Sequence, residues 1–224
     1  MIQRGEVLEG SVVITSYQTA GRGQRGNTWE ARPGENLMLS LVLYPTFLPA
    51  PAQFALNVAV SLGVHAFFRE WIDEDLCIKW PNDLYAGTRK LGGILIENTL
   101  MGYQMNQSIV GIGLNINQIT FEVPTATSLR QQTGQPFPFD LELLLNRLLQ
   151  TVETEYLRLR AGAFAEQKER YLRHLFRYRQ WHPYRRSGRV FNGYLTDVSE
   201  AGQLVLETER GLEYFGLKEV EFVL

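Results

Sequence analysis

The sequence predicts an α+β fold in two parts: a sheet flanked by helices over residues 1–177, and a small β-barrel over residues 178–224. Three observations carry that expectation. Short apolar runs bounded by turn residues recur through the first half. Leucine stripes of helical period follow, and after Tyr184 the chain changes to short strands punctuated by glycine.

Val12-Val13-Ile14-Thr15 reads as a buried strand, and Leu37 to Tyr44 as a second one beyond a long Gly- and Arg-rich loop. Pro49 and Pro51 introduce a helix on which Phe54, Val58, Leu62 and Ala66 recur near helical period. Leu76 to Trp80 is a strand stopped by Pro81-Asn82-Asp83, Leu91–Glu97 and Ser108–Asn115 are two more, and residues 115–127 read as loop. Asp140 is placed to cap a helix carrying Leu141, Leu144, Leu145, Leu148, Val152, Tyr156 and Leu159 on one stripe. Gly162 breaks it, and a second amphipathic helix runs to about Phe176. The last part, with Gly193, Gly202 and Gly211 between apolar pairs, reads as a barrel too small to bury much core by itself, so it should lean on the larger part.

Composition narrows the class. Of 224 residues, 45% are hydrophobic and 21% charged, as in ordinary globular chains, which excludes disorder, collagen-like repeats and coiled coil as the main organisation. The apolar runs are shorter than the roughly 20 residues that cross a bilayer, and Met1-Ile2-Gln3-Arg4-Gly5-Glu6 lacks a leader pattern, so a soluble cytoplasmic protein is expected. Cys77, the single cysteine, has no disulfide partner, and with three histidines it makes no Cys/His zinc cluster. The net charge of −2 hides a basic stretch, Arg158 to Arg189, with ten Lys/Arg against two Glu. It reads as a docking surface for an acidic macromolecule or as the solvated face of a helix.

Gly21-Arg22-Gly23-Gln24-Arg25-Gly26 matches G-x-G-x-x-G, but Asn27 to Gly34 leads into a strand and not a helix, so no helix N-terminus is offered to a dinucleotide. A P-loop is excluded for want of Gly-Lys-Ser/Thr, and a kinase loop for want of His-Arg-Asp and Asp-Phe-Gly. What remains is a loop whose glycines permit close backbone approach and whose arginines offer planar donor forks to phosphate or carboxylate. Three further clusters accompany it: Lys79-Trp80-Pro81-Asn82-Asp83, Lys90-Leu91-Gly92-Gly93-Ile94, and Gly111-Ile112-Gly113-Leu114-Asn115. Glycines 111 and 113 alternate, so they share one face of a strand, and facing strips of bare backbone would carve a slot for a flat ligand.

Taken in order, Tyr17 to Trp29, Lys79 to Asp83, Arg89 to Leu95 and Gly111 to Asn115 resemble the motifs of biotin protein ligases, and Asp197 to Leu204 resembles that family's C-terminal domain. The resemblance implies a mixed sheet related to class II aminoacyl-tRNA synthetases plus an SH3-like barrel. It implies ATP-dependent, Mg²⁺-assisted activation of biotin to biotinyl-5′-AMP, then transfer to a lysine of a biotin carboxyl carrier protein. By the same resemblance Lys90 and Arg22 hold the carboxylate and phosphate as catalytic cations. Gln18, Gly21, Gly23, Gln24, Gly92 and Gly93 line biotin and the adenylate, Arg25 and Lys79 serve the phosphates, and Asn82 or Asp83 places Mg²⁺ or the attacking amine. Trp29 lies near the adenine and Asn115 near the nucleotide end. No dedicated metal-ligand set is implied.

Gln24 and Asn27 stand where many family members carry arginine, which predicts a weaker hold on the adenylate. The family's Ser-Thr-Asn segment has no room before Val12, which predicts weakened biotin binding and leaves a catalytically weakened biotin- or adenylate-binding remnant as an alternative, and the helix-turn-helix of bifunctional relatives is missing, so no DNA partner is expected. Neither is a membrane, while a homodimer is left open. A lipoate or octanoate transferase shares the general fold, but the Gly21–Trp29 loop and the Lys79–Asp83 turn argue against it. His65, His174 and His182 read as ordinary core or surface histidines, Cys77 as a small core residue, Asp73-Glu74-Asp75 as a solvated run, and Trp71 and Trp181 as packing residues.

Overall fold

The computed structural model describes residues 7–23, 29–73 and 75–223. Its first sheet has six strands: β1 (Val12–Ile14), β2 (Leu37–Leu43), β3 (Leu76–Lys79), β4 (Asp83–Ala86), β5 (Arg89–Met101) and β6 (Gln104–Leu114), in the order β1-β2-β6-β5-β4-β3. Every ladder in it is antiparallel. Parallel pairing is limited to isolated bridges such as Ile78–Leu175 and Lys90–Ala126. Among the described residues four α-helices accompany the sheet: α1 (Phe54–Phe68), α2 (Leu129–Thr133), α3 (Leu141–Arg160) and α4 (Phe164–Arg173).

Helix α1 is apolar on all sides, and nearly every residue from Ala55 to Phe68 is buried. By length and hydropathy the stretch Ala50–Phe68 would suit a membrane span; here it is the central core helix, as an all-round apolar helix in a globular chain must be. Gly63 lets α3 close onto it, since a Cβ there would lie 2.6 Å from the Val152 Cα. Asp140 caps α3 as expected, its carboxylate accepting from the Glu142 and Leu143 amides. The leucine stripe buries Leu144, Leu148, Val152, Tyr156 and Leu159.

Strand β1 departs from the expectation of a buried strand. It is a three-residue edge paired only with β2, and Val13 and Ile14 are 61% and 55% exposed. Apolar composition alone does not tell an edge from a central strand. Strands β5 and β6 run further than the apolar pattern showed, to a hairpin turn at Gly102 with φ of 63°.

The second sheet comprises β7 (Trp181–Arg186), β8 (Arg189–Val198), β9 (Leu204–Thr208), β10 (Gly211–Phe215) and β11 (Glu221–Phe222), ordered β10-β9-β8-β7-β11, with no closing ladder between its ends among the described residues. It does lean on the first part. The Trp80 indole donates to the Gly202 carbonyl at 3.0 Å, Phe54 fills the space a Cβ of Gly202 would need, and Lys168 pairs with Asp197 at 3.2 Å.

Candidate active site

Register and parity build the site. Met38 of β2, Gly113 of β6 and Gly93 of β5 lie side by side across three strands; Ser40, Gly111 and Leu95 form the next row. The alternate row, Leu39, Ile112 and Ile94, points into the core. The exposed face of this sheet is therefore floored by three glycines, and above it lies a cleft of about 230 Å³. The loop from Gln18 to Gly23 and Trp29 form one wall, while Asp83, Lys90 and Glu97 supply charge at its rim.

The loop folds back on itself. The Trp29 amide donates to the Gly21 carbonyl at 2.9 Å, and a Cβ on Gly21 would come within 2.6 Å of the Trp29 carbonyl oxygen and 2.9 Å of Gln18 Oε1. Only bare backbone fits there. The Trp29 ring lies on Gly113, whose absent Cβ would sit 2.7 Å from Cε2. Its indole N–H is buried with no partner among the described residues.

Lys90 and Asp83 form the tight charge pair of the cleft, with Nζ 2.7 Å from Oδ2 and both side chains about a third exposed. Asp83 stands directly opposite Gly93, where a Cβ would lie 2.9 Å from Asp83 Oδ1 and 3.3 Å from Lys90 Nζ; the missing side chain makes room for the pair. The Lys90 ammonium also lies 5.8 Å from the Trp29 ring centroid. The backbone of Lys90 is fixed from the following loop, its N–H donating to Thr125 and its carbonyl accepting from Thr127. At the opposite rim Arg22 reaches Glu97 at 3.5 Å, a pair largely open to solvent.

Of the residues singled out from sequence, Gln18, Gly21, Arg22, Gly23, Trp29, Asp83, Lys90 and Gly93 thus gather around one cleft. Gln24 and Arg25 lie outside the described residues. Four others do not line it. Gly92 points to the core, where a Cβ would strike the Leu114 side chain at 2.6 Å. Asn82 is 2% exposed and donates to Asn57 Oδ1 and the Ile94 carbonyl. Asn115 is 4% exposed and donates to the carbonyls of Lys90 and Thr127, so it clamps the Lys90 backbone. Lys79 lies beyond the Asp83 end, its Nζ 3.4 Å from the Tyr85 hydroxyl, and burial holds its pKa below the ordinary lysine range. Glu97, Met38 and Ser40 were not singled out. Glu97 shares the parity of Gly93 and Leu95, which is the signal that could have found it.

Burial pushes the Cys77 thiol up to about 12, which disfavours the thiolate. His65 and His174 stack on each other at 4.0 Å, away from the cleft. The basic stretch is mostly neutralised within the chain: Arg160 by Glu9, Lys168 by Asp197, Arg170 by Glu155, Arg185 by Glu221 and Arg186 by Glu213.

A cleft floored by glycine, walled by a Gly-Arg loop and edged by two cations suits a flat ligand carrying negative charge. Known proteins agree. The Bifunctional ligase/repressor BirA of Bacillus subtilis (strain 168) is 28% identical over 218 residues, covering 95% of this chain and 66% of that protein. The Biotin--[acetyl-CoA-carboxylase] ligase of Mycobacterium tuberculosis is 34% identical over 160 residues, 70% of this chain and 58% of that protein. The chain thus spans no more than about two thirds of the length of these relatives. The biotin protein ligase from Aquifex aeolicus, solved in complex with biotin and ATP, superposes with a TM-score of 0.80 at 26% identity, covering 97% of this chain and 91% of that one. Residues 2–115, half of the sequence, match the family model described as the Biotin/lipoate A/B protein ligase family, and the chain belongs to that family.

Proposed function

We propose that this chain is an ATP-dependent biotin protein ligase, with residues 1–177 as its catalytic domain and 178–224 as its C-terminal domain. The observation that carries the reading is the glycine-floored slot ending on the Lys90–Asp83 pair, walled by Gln18, Gly21 to Gly23 and Trp29. Biotin lies along Gly93, Gly111 and Gly113, its carboxylate toward Lys90. A carboxylate oxygen attacks the α-phosphorus of ATP, the bond to pyrophosphate breaks, and biotinyl-5′-AMP is left in the slot. Two anions meet in that step, so Lys90 and Arg22 stabilise the charge that develops. Lys79 takes the departing phosphates, Gln18 and the backbone around Gly21 and Gly23 cover the adenylate, and Trp29 packs against it. Covering matters because water hydrolyses the mixed anhydride. A lysine amine of a biotin carboxyl carrier protein then attacks the acyl carbon and AMP leaves.

Magnesium fits this donor set only as a companion of the phosphates. Among the described residues no group of three His, Cys, Asp or Glu side chains converges, and Mg²⁺ is commonly held by one or two carboxylates plus substrate phosphates. Asp83 would hold it, and the ion would supply charge neutralisation on the triphosphate. The enzyme is read as cytoplasmic, with no DNA or membrane partner.

The test is biotin-dependent ATP–pyrophosphate exchange with Mg²⁺, followed by transfer to a carrier domain. Wild-type exchange, with its loss in Lys90→Ala at unchanged fold, is the expected result. Folded wild-type protein that catalyses no exchange removes the enzyme reading; near-normal exchange in Lys90→Ala removes the role given to Lys90.

A further inference from the structure

The Lys79 side chain is held from two sides. Tyr85, on the neighbouring strand β4, places its hydroxyl 3.4 Å and its ring centroid 4.9 Å from Nζ. The second wall comes from the other sheet: Phe222 of β11, whose ring centroid lies 5.5 Å from the same ammonium. A lysine stem is flexible and its rotamers cost entropy to fix. Two aromatic faces around one ammonium remove that freedom while leaving the charge in place.

Phe222 is itself braced. Its ring lies 6.1 Å from Phe176 and 5.2 Å from Tyr184, and Tyr184 lies 6.1 Å from Phe191, which stacks on Phe215 at 5.8 Å. Phe176 in turn faces Tyr85 at 6.4 Å. A row of rings therefore runs from the core of the second sheet to both walls around Lys79. The end of β11 is tied as well: Arg177 donates to the Val223 carbonyl at 2.9 Å while its guanidinium covers Phe176 at 4.8 Å. Lys79 stands opposite Asp83 in the β3–β4 ladder, so this row ends one residue pair from the charge centre of the cleft.

We propose that Phe222 is a positioning residue: through it the C-terminal sheet fixes the Lys79 ammonium beside the Asp83–Lys90 pair, where it meets the phosphates of ATP. This rests on the ligase reading for the substrate, but not for the coupling of Phe222 to Lys79, which is a property of the free protein. Burial depresses the Lys79 pKa, Asp83 opposes this, and the neighbouring Lys90 and Arg177 charges add to it.

The experiment uses the full chain and the variants Phe222→Leu, Phe222→Trp, Lys79→Gln and the Phe222→Leu/Lys79→Gln double. In ligand-free protein carrying ¹³Cε-lysine, the Lys79 resonance, identified by its loss in Lys79→Gln, moves downfield in Phe222→Leu as one shielding ring is lost, and returns in Phe222→Trp. In exchange assays Phe222→Leu raises the KM for ATP roughly threefold to tenfold, leaves the KM for biotin unchanged, and shifts the pH profile. Phe222→Trp restores the wild-type value, and the double variant is no worse than Lys79→Gln alone. An unmoved Lys79 resonance overturns the proposal. So does a double variant whose defects multiply, or a biotin KM that rises with that for ATP, which marks general loosening. Wild-type protein without exchange would remove the ligase reading and leave the resonance to decide the coupling.

Discussion

Replacing Gly113 with alanine tests the slot at its narrowest point. An alanine Cβ there would lie 2.7 Å from Trp29 Cε2, 2.9 Å from Cζ2 and 3.1 Å from Nε1, where ordinary contact begins at 3.4 Å. Backbone strain is not the obstacle, because Gly113 is in a strand and does not have positive φ. The indole has to retreat, and it cannot do so by moving its backbone, which is hydrogen-bonded to Gly21. The ring must swing instead, carrying away the wall that faces Lys90 at 5.8 Å. Misplacing such a wall by about 1 Å costs on the order of 100-fold in turnover, whereas the fold keeps its stability to within about 1 kcal/mol. The expected result is a loss of that size in biotin-dependent exchange, a changed tryptophan emission and an unchanged urea midpoint. Gly111→Ala is the control. Its nearest atoms are Leu95 O at 3.4 Å and Leu95 Cβ at 3.8 Å, so the free protein and its emission stay as they are. Any rise in the KM for biotin there reports on a ligand lying along the floor. Wild-type kinetics in Gly113→Ala, with the emission visibly altered, would show that the slot under Trp29 is not where the chemistry occurs.

Other expectations follow from buried polar groups. Asn82→Ala removes the donor to Asn57 Oδ1 and the Ile94 carbonyl and leaves both acceptors buried, so stability should fall by about 1–3 kcal/mol in urea unfolding; an unchanged midpoint would show that those bonds are not what holds the Lys79–Asp83 turn. His65 is 4% exposed, and burial, helped by the charge of His174, depresses its pKa from 6.5 to about 3. Between those values the unfolded chain binds the extra proton and the folded one does not, so stability falls as pH drops from above 6.5 toward 3, by about 2 kcal/mol from pH 7 to pH 5 for this group. His174, also depressed by burial, acts in the same direction. Urea midpoints at the two pH values should differ less in His65→Gln than in wild type, and equal differences would refute the assignment.

The site was legible where a residue type has one physical reason to be present. Alternating glycines 111 and 113 could only strip one face of a strand, and the structure puts both under the cleft. Gly92 does not face the cleft, because neighbouring strand residues alternate and it falls in the inward row of Ile94. The β4–β5 ladder shifts register between Leu84 and Tyr85, pairing Gly92 with Leu84 but Lys90 with Tyr85, so Leu91 is an extra residue on its strand. That bulge brings Lys90 onto the same face as Gly93, three positions on, which period-two counting cannot reveal. Asn82 and Asn115 misled differently: an amide among charged residues reads as a ligand contact, yet these two satisfy backbone carbonyls in the core and hold the segments that carry Asp83 and Lys90. The fold was legible through its leucine stripes and glycine turns, but the exposed edge β1 was not, because valine and isoleucine suit edge and centre alike.

The two charge pairs of the cleft are unequal, and the inequality orders what an incoming anion can displace. Arg22 and Glu97 sit 3.5 Å apart with side chains 74% and 50% exposed, an arrangement worth about 0–1 kcal/mol. Lys90 and Asp83 are at 2.7 Å, about a third exposed, on strands fixed by ladder bonds and by the clamp of Thr125, Thr127 and Asn115. A phosphate or carboxylate therefore recruits Arg22 at little cost by turning the loop side chain away from Glu97. At the other end it has to share Lys90 with Asp83. Sharing with Asp83 holds the ammonium at one place. The Arg22 end of the cleft is thus the more easily rearranged, and the strand end the more fixed.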